Sequence, residues 1–325
     1  MDSPSPLRIG FLGTPDFAAA CLTRLMASSH EVVGVVTAPD RPAGRGHKLR
    51  PSAVKQVAEA HGLTLLQPER LRDSAFLEAW DDWQVDVGVV VAFRMMPEVL
   101  WNRPRLGTIN LHASLLPQLR GAAPIQRAIM AGLTETGVTT FRLTHEIDTG
   151  DMLGTTKVQI GSDTDAGTLH NALLLAGQEL LVSTLDGLAQ GNIVPIAQQD
   201  AIDPSLSLLD APKLFKADTR IDWNRPAQDV HNHVRGLHPW PGAWTSLGAE
   251  QESTLKIHRG EVAIWTGSHL AAPGSALADP DGNLLVRCDS EAYKVMRLTP
   301  PGKKAMASAD WLRGLPAEKF PSSFR

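Results

Sequence analysis

Cysteine is scarce in this chain, which has two cysteines among 325 residues. Cys21 and Cys288 lie far apart in the sequence and form neither a metal-binding nor a redox motif. Long hydrophobic runs are missing as well: no stretch of about 18 apolar residues occurs, so we expect no membrane span. The first residues show no basic segment followed by an apolar run, so no secretory signal is predicted, and we expect a cytoplasmic protein.

An excess of one charge is also missing. The chain has 31 Lys and Arg residues against 35 Asp and Glu residues, a net charge of -4, which does not by itself indicate a nucleic-acid-binding protein. Hydrophobic residues make up 43% of the chain and charged residues 20%, as is typical of a globular protein. At about 100–200 residues per domain, we expect about two domains.

Strand and helix patterns alternate along the first part of the chain. Residues 7–13 (LRIGFLG) and 85–92 (VDVGVVVA) are apolar runs typical of buried parallel strands. Further strands are predicted at 31–37, 63–66, 105–111, 137–143 and 152–160. Helices are predicted at 14–25, 51–61, 73–83, 122–133 and 164–190. This alternation predicts an α/β fold class with a Rossmann-like, mostly parallel open sheet.

The turn after the first strand argues against dinucleotide binding. It reads Gly10-x-x-Gly13-Thr14-Pro15 rather than the G-x-G-x-x-G of dinucleotide-binding folds. No acidic residue closes the second strand, where such folds hold a ribose. A dinucleotide-dependent oxidoreductase is therefore disfavoured.

The second part of the chain has a different pattern. Residues 192–210 lack helical periodicity and contain Pro195 and Pro204, which predicts a linker. A helix at 229–236 and strands at 244–247, 254–258, 274–278, 284–287 and 294–298 follow. Five short strands with one helix predict a small β-barrel of the oligonucleotide-binding type. We therefore predict an α/β domain at 1–191, a linker at 192–210 and a barrel domain at 211–325.

An amide and an imidazole, Asn110 and His112, lie two residues apart at the end of a predicted strand. Side chains at i and i+2 of a strand point to the same face, and Pro117 then stops regular structure. The pair would lie at the carboxyl end of a strand, where open α/β sheets bind ligands. Asn can donate to a developing oxyanion, and His can transfer a proton near neutral pH. Most such pairs are polar groups satisfied within the fold, so the spacing alone is a weak signal.

A carboxylate, Asp148, lies in the loop between the strands predicted at 137–143 and 152–160. We expect this loop at the same edge of the sheet as His112, where Asp148 would orient or charge the imidazole. The alternative is that the D-T-G-D sequence simply builds a turn. His112 and Asp148 have no third or fourth ligand at a suitable spacing, so no metal site is predicted.

A basic segment at 38–50 (APDRPAGRGHKLR) has four cations against one acid, Asp40. The cations are Arg41, Arg45, Lys48 and Arg50. The Gly and Pro residues predict an irregular loop, and long irregular loops at strand ends are often functional. Either this is a solvated surface loop, or it contacts a phosphate backbone.

Five segments resemble the methionyl-tRNA formyltransferase family along nearly the whole chain. They are FLGTPDFA (11–18), PDRPAGRG (39–46), INLHASLLPQLRGAAPIQRAI (109–129), DTGDML (148–153) and RGLHPWPG (235–242). The third and fourth are shared by the wider group of enzymes that use 10-formyltetrahydrofolate, so they imply formyl transfer but not the acceptor. The basic loop and the carboxyl-terminal barrel with its PWPG corner point to the tRNA-modifying family.

The resemblance implies transfer of the formyl group of 10-formyltetrahydrofolate to the amino group of methionyl-initiator tRNA, without a metal. Residues 1–191 would be the catalytic domain and 211–325 a tRNA-binding barrel, and we expect a monomer. The resemblance assigns catalysis to Asn110, His112 and Asp148. It assigns folate binding to Ser114, Leu115, Leu116 and Pro117. It places Arg45 on the basic-loop arginine that inspects the end of the tRNA acceptor stem. From the composition of the same segment we also expect tRNA contacts by Arg41 and Lys48.

One departure from the family pattern and two rival functions accompany this assignment. Ala92-Phe93-Arg94 stands where many relatives have Ala-Tyr-Gly at the mouth of the folate pocket, and Arg94 receives no role. A formyltransferase of the same scaffold acting on a small amine, a glycinamide nucleotide or an amino sugar, would explain the catalytic residues. It would leave the basic loop and the barrel without a function. A non-catalytic RNA-binding module would not need Asn110, His112 and Asp148 together.

Overall fold

The computed structural model describes residues 5–43, 48–204, 207–247, 254–316 and 320–324. The chain forms two compact units. The first consists of Met1–Gly121, Thr136–Val158 and Asn171–Asp210, and the second of Ala122–Glu135, Gln159–His170 and Ala211–Arg325. The predicted domain boundaries at 1–191, 192–210 and 211–325 stay a prediction.

The secondary structure is as follows. The strands are β1 (Arg8–Gly13), β2 (Glu31–Val36), β3 (Arg41–Ala43), β4 (Lys48–Arg50), β5 (Leu65–Leu66), β6 (Val87–Val91), β7 (Thr108–His112), β8 (Arg120–Gly121), β9 (Glu135–Arg142), β10 (Met152–Gln159), β11 (Asp210–Ala211), β12 (Ala243–Ser246), β13 (Thr254–Ala263), β14 (Ala276–Ala278), β15 (Leu284–Arg287), β16 (Ala292–Thr299) and β17 (Met306–Ala307). The α-helices are α1 (Asp16–Met26), α2 (Ala53–Ala60), α3 (Ser74–Asp82), α4 (Glu98–Trp101), α5 (Pro124–Met130), α6 (Ala166–Gln190), α7 (Ala227–Leu237) and α8 (Ser308–Arg313). Short 3-10 helices lie at Gln198–Ala201 and Ala217–Thr219.

The first unit is organised around a seven-stranded sheet in the order β10-β9-β7-β6-β1-β2-β5. The strands from β7 to β5 in this order pair in parallel, and β9 is antiparallel to β7. All five residues of β6 are buried, because an apolar strand in the middle of a parallel sheet is covered on both faces. The predicted mostly parallel open sheet is confirmed.

The helix α1 shows how local sequence and burial agree in this unit. It begins at Asp16, whose carboxylate lies at the positive end of the helix dipole. Phe17, Cys21 and Leu25 are buried at helical spacing. Burial raises the pKa of the Cys21 thiol to about 12, so this cysteine packs as a small neutral side chain.

The strands β3 and β4 correct the prediction of an irregular loop at 38–50. Arg41 pairs with Arg50, and Ala43 pairs with Lys48, in a short antiparallel ladder. Pro42 has no N–H to donate, but both strands of a two-stranded ladder are edges, where proline is tolerated. The two ends of the segment are therefore regular, and its glycine-containing middle, 44–47, lies outside the described residues.

The segment predicted as a linker packs within the first unit over part of its length. Ile196 and Met152 of β10 exchange two backbone hydrogen bonds, of 2.8 and 2.9 Å. Gln198 follows in a 3-10 helix and is only 3% exposed. A polar residue this deeply buried needs partners for its amide, which are described with the site below.

One described helix, α6, is long and apolar enough to cross a membrane by length and composition alone. Three of its leucines, Leu173, Leu181 and Leu185, are fully buried. Burial of one helical face against other elements is the pattern of a core helix.

The second unit is organised around an antiparallel sheet in the order β12-β13-β16-β15-β14, with β17 paired to β16. All five predicted strands are present, and β13 and β16 are longer than predicted. The helix α7 packs against β13, and buried Trp223, Tyr293 and Trp311 contribute to the core. The expected change from an α/β unit to a mainly antiparallel one is confirmed.

Candidate active site

The strand β7 ends at His112, so Asn110 and His112 lie at its carboxyl end. Ile109 and Leu111, which alternate with them, are buried in the core. Asn110 is half-buried, and its side-chain amide forms no hydrogen bond with any described residue. The amide is therefore available to bind a ligand.

The imidazole of His112 is held by one nitrogen and faces a carboxylate with the other. Its Nε2 lies 2.9 Å from the carbonyl oxygen of Leu119, and because a carbonyl only accepts, Nε2 carries a hydrogen. Its Nδ1 lies 3.8 Å from Asp148 Oδ2, beyond a direct hydrogen bond but close enough for an ion pair. Nδ1 is thus the nitrogen able to exchange a proton. No cluster of three potential metal-ligating side chains occurs in the part of the chain that the structure describes.

The loop that carries Asp148 starts at a different edge from the one predicted. The strand β9 runs antiparallel to β7, with Thr139 opposite His112 and Arg142 opposite Ile109. The chain therefore leaves β9 level with the beginning of β7, not with its end. Asp148 still reaches the imidazole because the loop folds back, with a left-handed φ of 55° at Asp148, a conformation that Asp adopts more readily than most residues.

The carboxylate and the backbone of Asp148 are both held. Its Oδ2 accepts the backbone N–H of Gly121 at 2.9 Å. Gln198 Nε2 donates to the carbonyl oxygens of Asp148 and Gly150, both at 2.8 Å. Arg120 in turn donates from Nε and Nη2 to Gln198 Oε1, at 3.0 and 2.7 Å. Arg120 belongs to the motif at 109–129, but no sequence signal connected Gln198 with a loop some fifty residues away.

The D-T-G-D segment also forms a tight turn. Asp148 can therefore both belong to this turn and act as the carboxylate beside His112. A Cβ on Gly150 would lie 1.7 Å from the carbonyl oxygen of Arg142. Only glycine permits this approach of the two backbone segments. The turn therefore builds the position from which Asp148 faces His112.

The segment predicted to bind folate is a turn whose polar groups are satisfied internally. Ser114 is fully buried, and its Oγ donates to the carbonyl oxygen of Gln118 at 2.5 Å. Thr139 Oγ1 donates to the carbonyl oxygen of Ser114 at 2.7 Å and accepts from the Leu116 N–H at 3.1 Å. Of the four predicted residues, Leu115 is half-buried and the other three are buried. Folate binding by this segment stays a prediction, with Leu115 as its most accessible side chain.

The residues predicted to contact tRNA are only partly described. Arg41 is exposed, Arg45 lies outside the described residues, and Lys48 belongs to β4 with its side chain undescribed. The acid of the segment, Asp40, pairs with Lys55 Nζ at 2.6 Å, and this hydrogen bond lowers the pKa of the Asp40 carboxyl. Asp40 is therefore neutralised by Lys55 and does not offset the charge of the basic segment.

Arg94 ties two loops together near the site. The strand β6 pairs with β7 so that Val90 lies opposite Asn110, and the chain with Arg94 follows directly after β6. Arg94 donates from Nη1 to the carbonyl oxygen of Glu69 at 2.8 Å and from Nη2 to that of Pro68. Its guanidinium carbon also lies 5.7 Å from the centre of the Phe93 ring. This anchoring role was not predicted from sequence.

Two family models match the chain. One, described as formyl transferase, covers residues 7–185, and the other, described as formyl transferase, C-terminal domain, covers residues 213–316. The methionyl-tRNA formyltransferase of Bacteroides fragilis is 45% identical over 308 residues, 95% of each chain. That of Parabacteroides distasonis is 47% identical over 311 residues, again 95% of each chain.

Solved structures with a similar fold include two folate complexes. HypX from Aquifex aeolicus with tetrahydrofolic acid has a TM-score of 0.62 at 19% identity, and the match covers 95% of this chain but 47% of HypX. The chain thus spans about half the length of HypX. An N-formyltransferase from Helicobacter canadensis, with folinic acid and dTDP-3-aminofucose, has a TM-score of 0.63 at 15% identity over 89% of this chain and 98% of that one. At these identities the likeness concerns the fold alone.

Proposed function

The chain belongs to the formyl transferase family, and we propose that Asn110, His112 and Asp148 carry out its reaction. It is a one-carbon transferase that moves the formyl group of 10-formyltetrahydrofolate to the amino group of methionyl-initiator tRNA. The observation that carries the assignment of residues is the arrangement of His112. Leu119 holds its Nε2, Asp148 faces its Nδ1 at 3.8 Å, and the unengaged amide of Asn110 lies two residues away.

The reaction requires a negative charge to be stabilised and a proton to be moved. The amino nitrogen attacks the formyl carbon and loses a proton, and the carbonyl oxygen becomes negative. The carbonyl then re-forms as the bond to N10 of the folate breaks and N10 gains a proton. The Asn110 amide donates to the developing oxyanion, an interaction typically worth about 3 kcal/mol of the barrier. His112 Nδ1 takes part in proton transfer, and the Asp148 carboxylate supplies the negative charge opposite the imidazolium.

The formyl donor binds along the turn Ser114–Leu115–Leu116–Pro117. Two features support this. The turn follows β7 directly, so a ligand there reaches Asn110 and His112 at the edge of the sheet. The turn is also rigid, because Ser114, Leu116 and Thr139 satisfy one another's polar groups, and a rigid wall positions a ligand better than a mobile one.

The tRNA acceptor end binds to the basic segment through Arg41, Arg45 and Lys48. Pairing of Asp40 with Lys55 supports this role, because it leaves these cations without a neighbouring acid from their own segment. Replacing Arg41 or Arg45 by Ala should raise KM for methionyl-tRNA and reduce the salt dependence of binding by about one unit of slope for each lost phosphate contact. Arg105→Ala, which removes an exposed arginine of the first unit that pairs with Asp86, is the control. An unchanged KM in both variants would remove the segment from tRNA binding.

The enzyme works as a monomer in the cytoplasm, where charged initiator tRNA is its substrate. A competition assay tests the choice of acceptor: 10-formyltetrahydrofolate is supplied with methionyl-tRNA, a glycinamide nucleotide and a nucleotide-linked amino sugar. We expect formyl groups on methionyl-tRNA. Formylation of either small amine instead would overturn the assignment. Size-exclusion chromatography tests the monomer directly.

A further inference from the structure

Gln198 is a buried residue whose amide is saturated by the catalytic loop and one arginine. Its side-chain nitrogen donates to two carbonyl oxygens, those of Asp148 and Gly150, at 2.8 Å each. Its side-chain oxygen accepts two N–H groups of Arg120, at 3.0 and 2.7 Å. The orientation of the amide is unambiguous, because carbonyls can only accept and a guanidinium can only donate. All four hydrogen-bonding directions of the residue are used.

These bonds form a closed network around Asp148. Arg120 and Gly121 are adjacent, and Gly121 donates its N–H to the Asp148 carboxylate at 2.9 Å. The side chain of Asp148 is therefore fixed by one residue of this pair, and its backbone is fixed through Gln198 by the other. Asp148 has a left-handed φ of 55°, which is less favourable than a right-handed one even for Asp, and these hydrogen bonds help to hold it there.

We propose that Gln198 is a positioning residue for formyl transfer, which keeps the Asp148 carboxylate opposite His112 Nδ1. The proposal rests on the catalytic role of Asp148 given above. Gln198 is 3% exposed and both ends of its amide are bound within the protein, so it acts on the reaction through Asp148. Arg120 holds the Gln198 amide in the one orientation in which its nitrogen donates to the loop that carries Asp148.

The hydrogen bonds of Gln198 hold the loop that carries Asp148, so their loss should affect the rate of formyl transfer. Without Gln198, the loop loses two of its hydrogen bonds and the carboxylate can shift relative to the imidazole. A displacement of about 1 Å in a reacting group can cost about 100-fold in rate. Among the described residues, Gln198 bonds to Arg120, Asp148 and Gly150 and to no residue of the basic segment or of the turn at 114–117, so substrate binding should persist. We therefore expect a defect in kcat and not in KM.

Three single variants and one double variant separate the parts of the network. Gln198→Met keeps the length of the side chain and removes all four hydrogen bonds, and Gln198→Glu keeps the acceptor for Arg120 but loses the donor to the loop. We expect both to lower kcat by about 10- to 100-fold, with KM for formyl donor and methionyl-tRNA within about twofold. Arg120→Met should lower kcat as well, and the double variant Arg120→Met with Gln198→Met should be no worse than the poorer single one. Gln199→Met, an exposed neighbour, is the matched control.

Asp148→Asn distinguishes failure of this inference from failure of the proposed function. If Asp148→Asn abolishes transfer while Gln198→Met stays within twofold of wild type, Gln198 has no positioning role and the function stands. If Asp148→Asn is itself fully active, the catalytic assignment fails. A lower kcat that is explained entirely by a smaller folded fraction in thermal unfolding would also overturn the inference. Should Gln198→Met not fold, Gln198→Glu carries the same outcomes. The pH profile of kcat is the second readout, because loss of positioning changes its shape and a loss of folded enzyme only scales it.

Discussion

The backbone N–H of Gly121 donates to the same oxygen of Asp148, Oδ2, that faces His112 Nδ1. Gly121 and Asp148 are 27 residues apart in the sequence, so this bond joins the motif that contains Asn110 and His112 to the one that contains Asp148. A carboxylate held by a backbone N–H cannot rotate freely, so its negative charge stays beside the imidazole. The chemistry of the site thus depends on the approach of two loops.

Gly150→Ala tests how tightly the turn that carries Asp148 is packed. A Cβ there would lie 1.7 Å from the Arg142 carbonyl oxygen, so backbone must move, and we expect a loss of about 3 kcal/mol or more in the free energy of unfolding. Gly107→Ala is the control, because its φ of 76° is strained for alanine but nothing lies within 4 Å of the added Cβ. Gly107→Ala should lower the free energy of unfolding by about 1–2 kcal/mol. Urea unfolding measures both, and equal losses would show that the turn is less tight than described.

The buried His233 should make stability depend on pH. Burial lowers its pKa to about 4, whereas an unfolded histidine has a pKa of about 6.5. The unfolded chain therefore takes up the proton first, so stability is complete above pH about 6.5 and falls as the pH drops towards 4. This one group should cost about 3 kcal/mol at pH 4. Burial lowers the pKa of His30 and His258 too, which acts in the same direction.

Urea unfolding at several pH values measures this dependence. His233→Gln should flatten the fall in unfolding free energy between pH 6.5 and 4, because the group that protonates on unfolding is gone. His269→Gln, at an exposed position, serves as the matched substitution and should leave the fall as in wild type. Identical pH profiles for wild type and His233→Gln would contradict the account of His233.

Arg94→Ala should loosen the loop after β6. The variant loses two charge-assisted hydrogen bonds to the carbonyls of Pro68 and Glu69, each worth about 1.5–3 kcal/mol. We expect KM for 10-formyltetrahydrofolate to rise about 3- to 10-fold, because a loosened loop must be ordered when the formyl donor binds, and this ordering reduces the binding free energy. KM for methionyl-tRNA should not change. Arg72→Ala, an exposed arginine of the neighbouring segment, should have no effect, and a donor KM unchanged by Arg94→Ala would refute this role.

Local sequence predicted the elements whose signal is local. The apolar run at 85–92 predicted β6, and the helical spacing of apolar residues from Phe17 to Leu25 predicted α1. The hairpin of β3 and β4 was missed because its proline suggests irregular structure, whereas the pairing depends on the two ends meeting. The helices α4 and α8 were missed because they have only four and six residues, too few to show a helical pattern of apolar residues.

The candidate site was predictable as a set of residues but not as an arrangement. Asn110, His112 and Asp148 were chosen by type, spacing and resemblance. The antiparallel direction of β9, which puts the start of the Asp148 loop at the other edge, depends on strand pairing that no residue pattern reveals. Gln198 has no sequence signal at all, because its partners are backbone carbonyls, which every residue provides.

Single-turnover formyl transfer by Asn110→Ala, His112→Ala and Asp148→Asn, with methionyl-tRNA binding measured alongside, tests whether these side chains carry out the reaction. We expect each variant to bind methionyl-tRNA within about twofold of wild type and to transfer the formyl group at least about 100-fold more slowly. Transfer within about tenfold of wild type by any one of them would contradict the claim that these three residues act together on the formyl carbon.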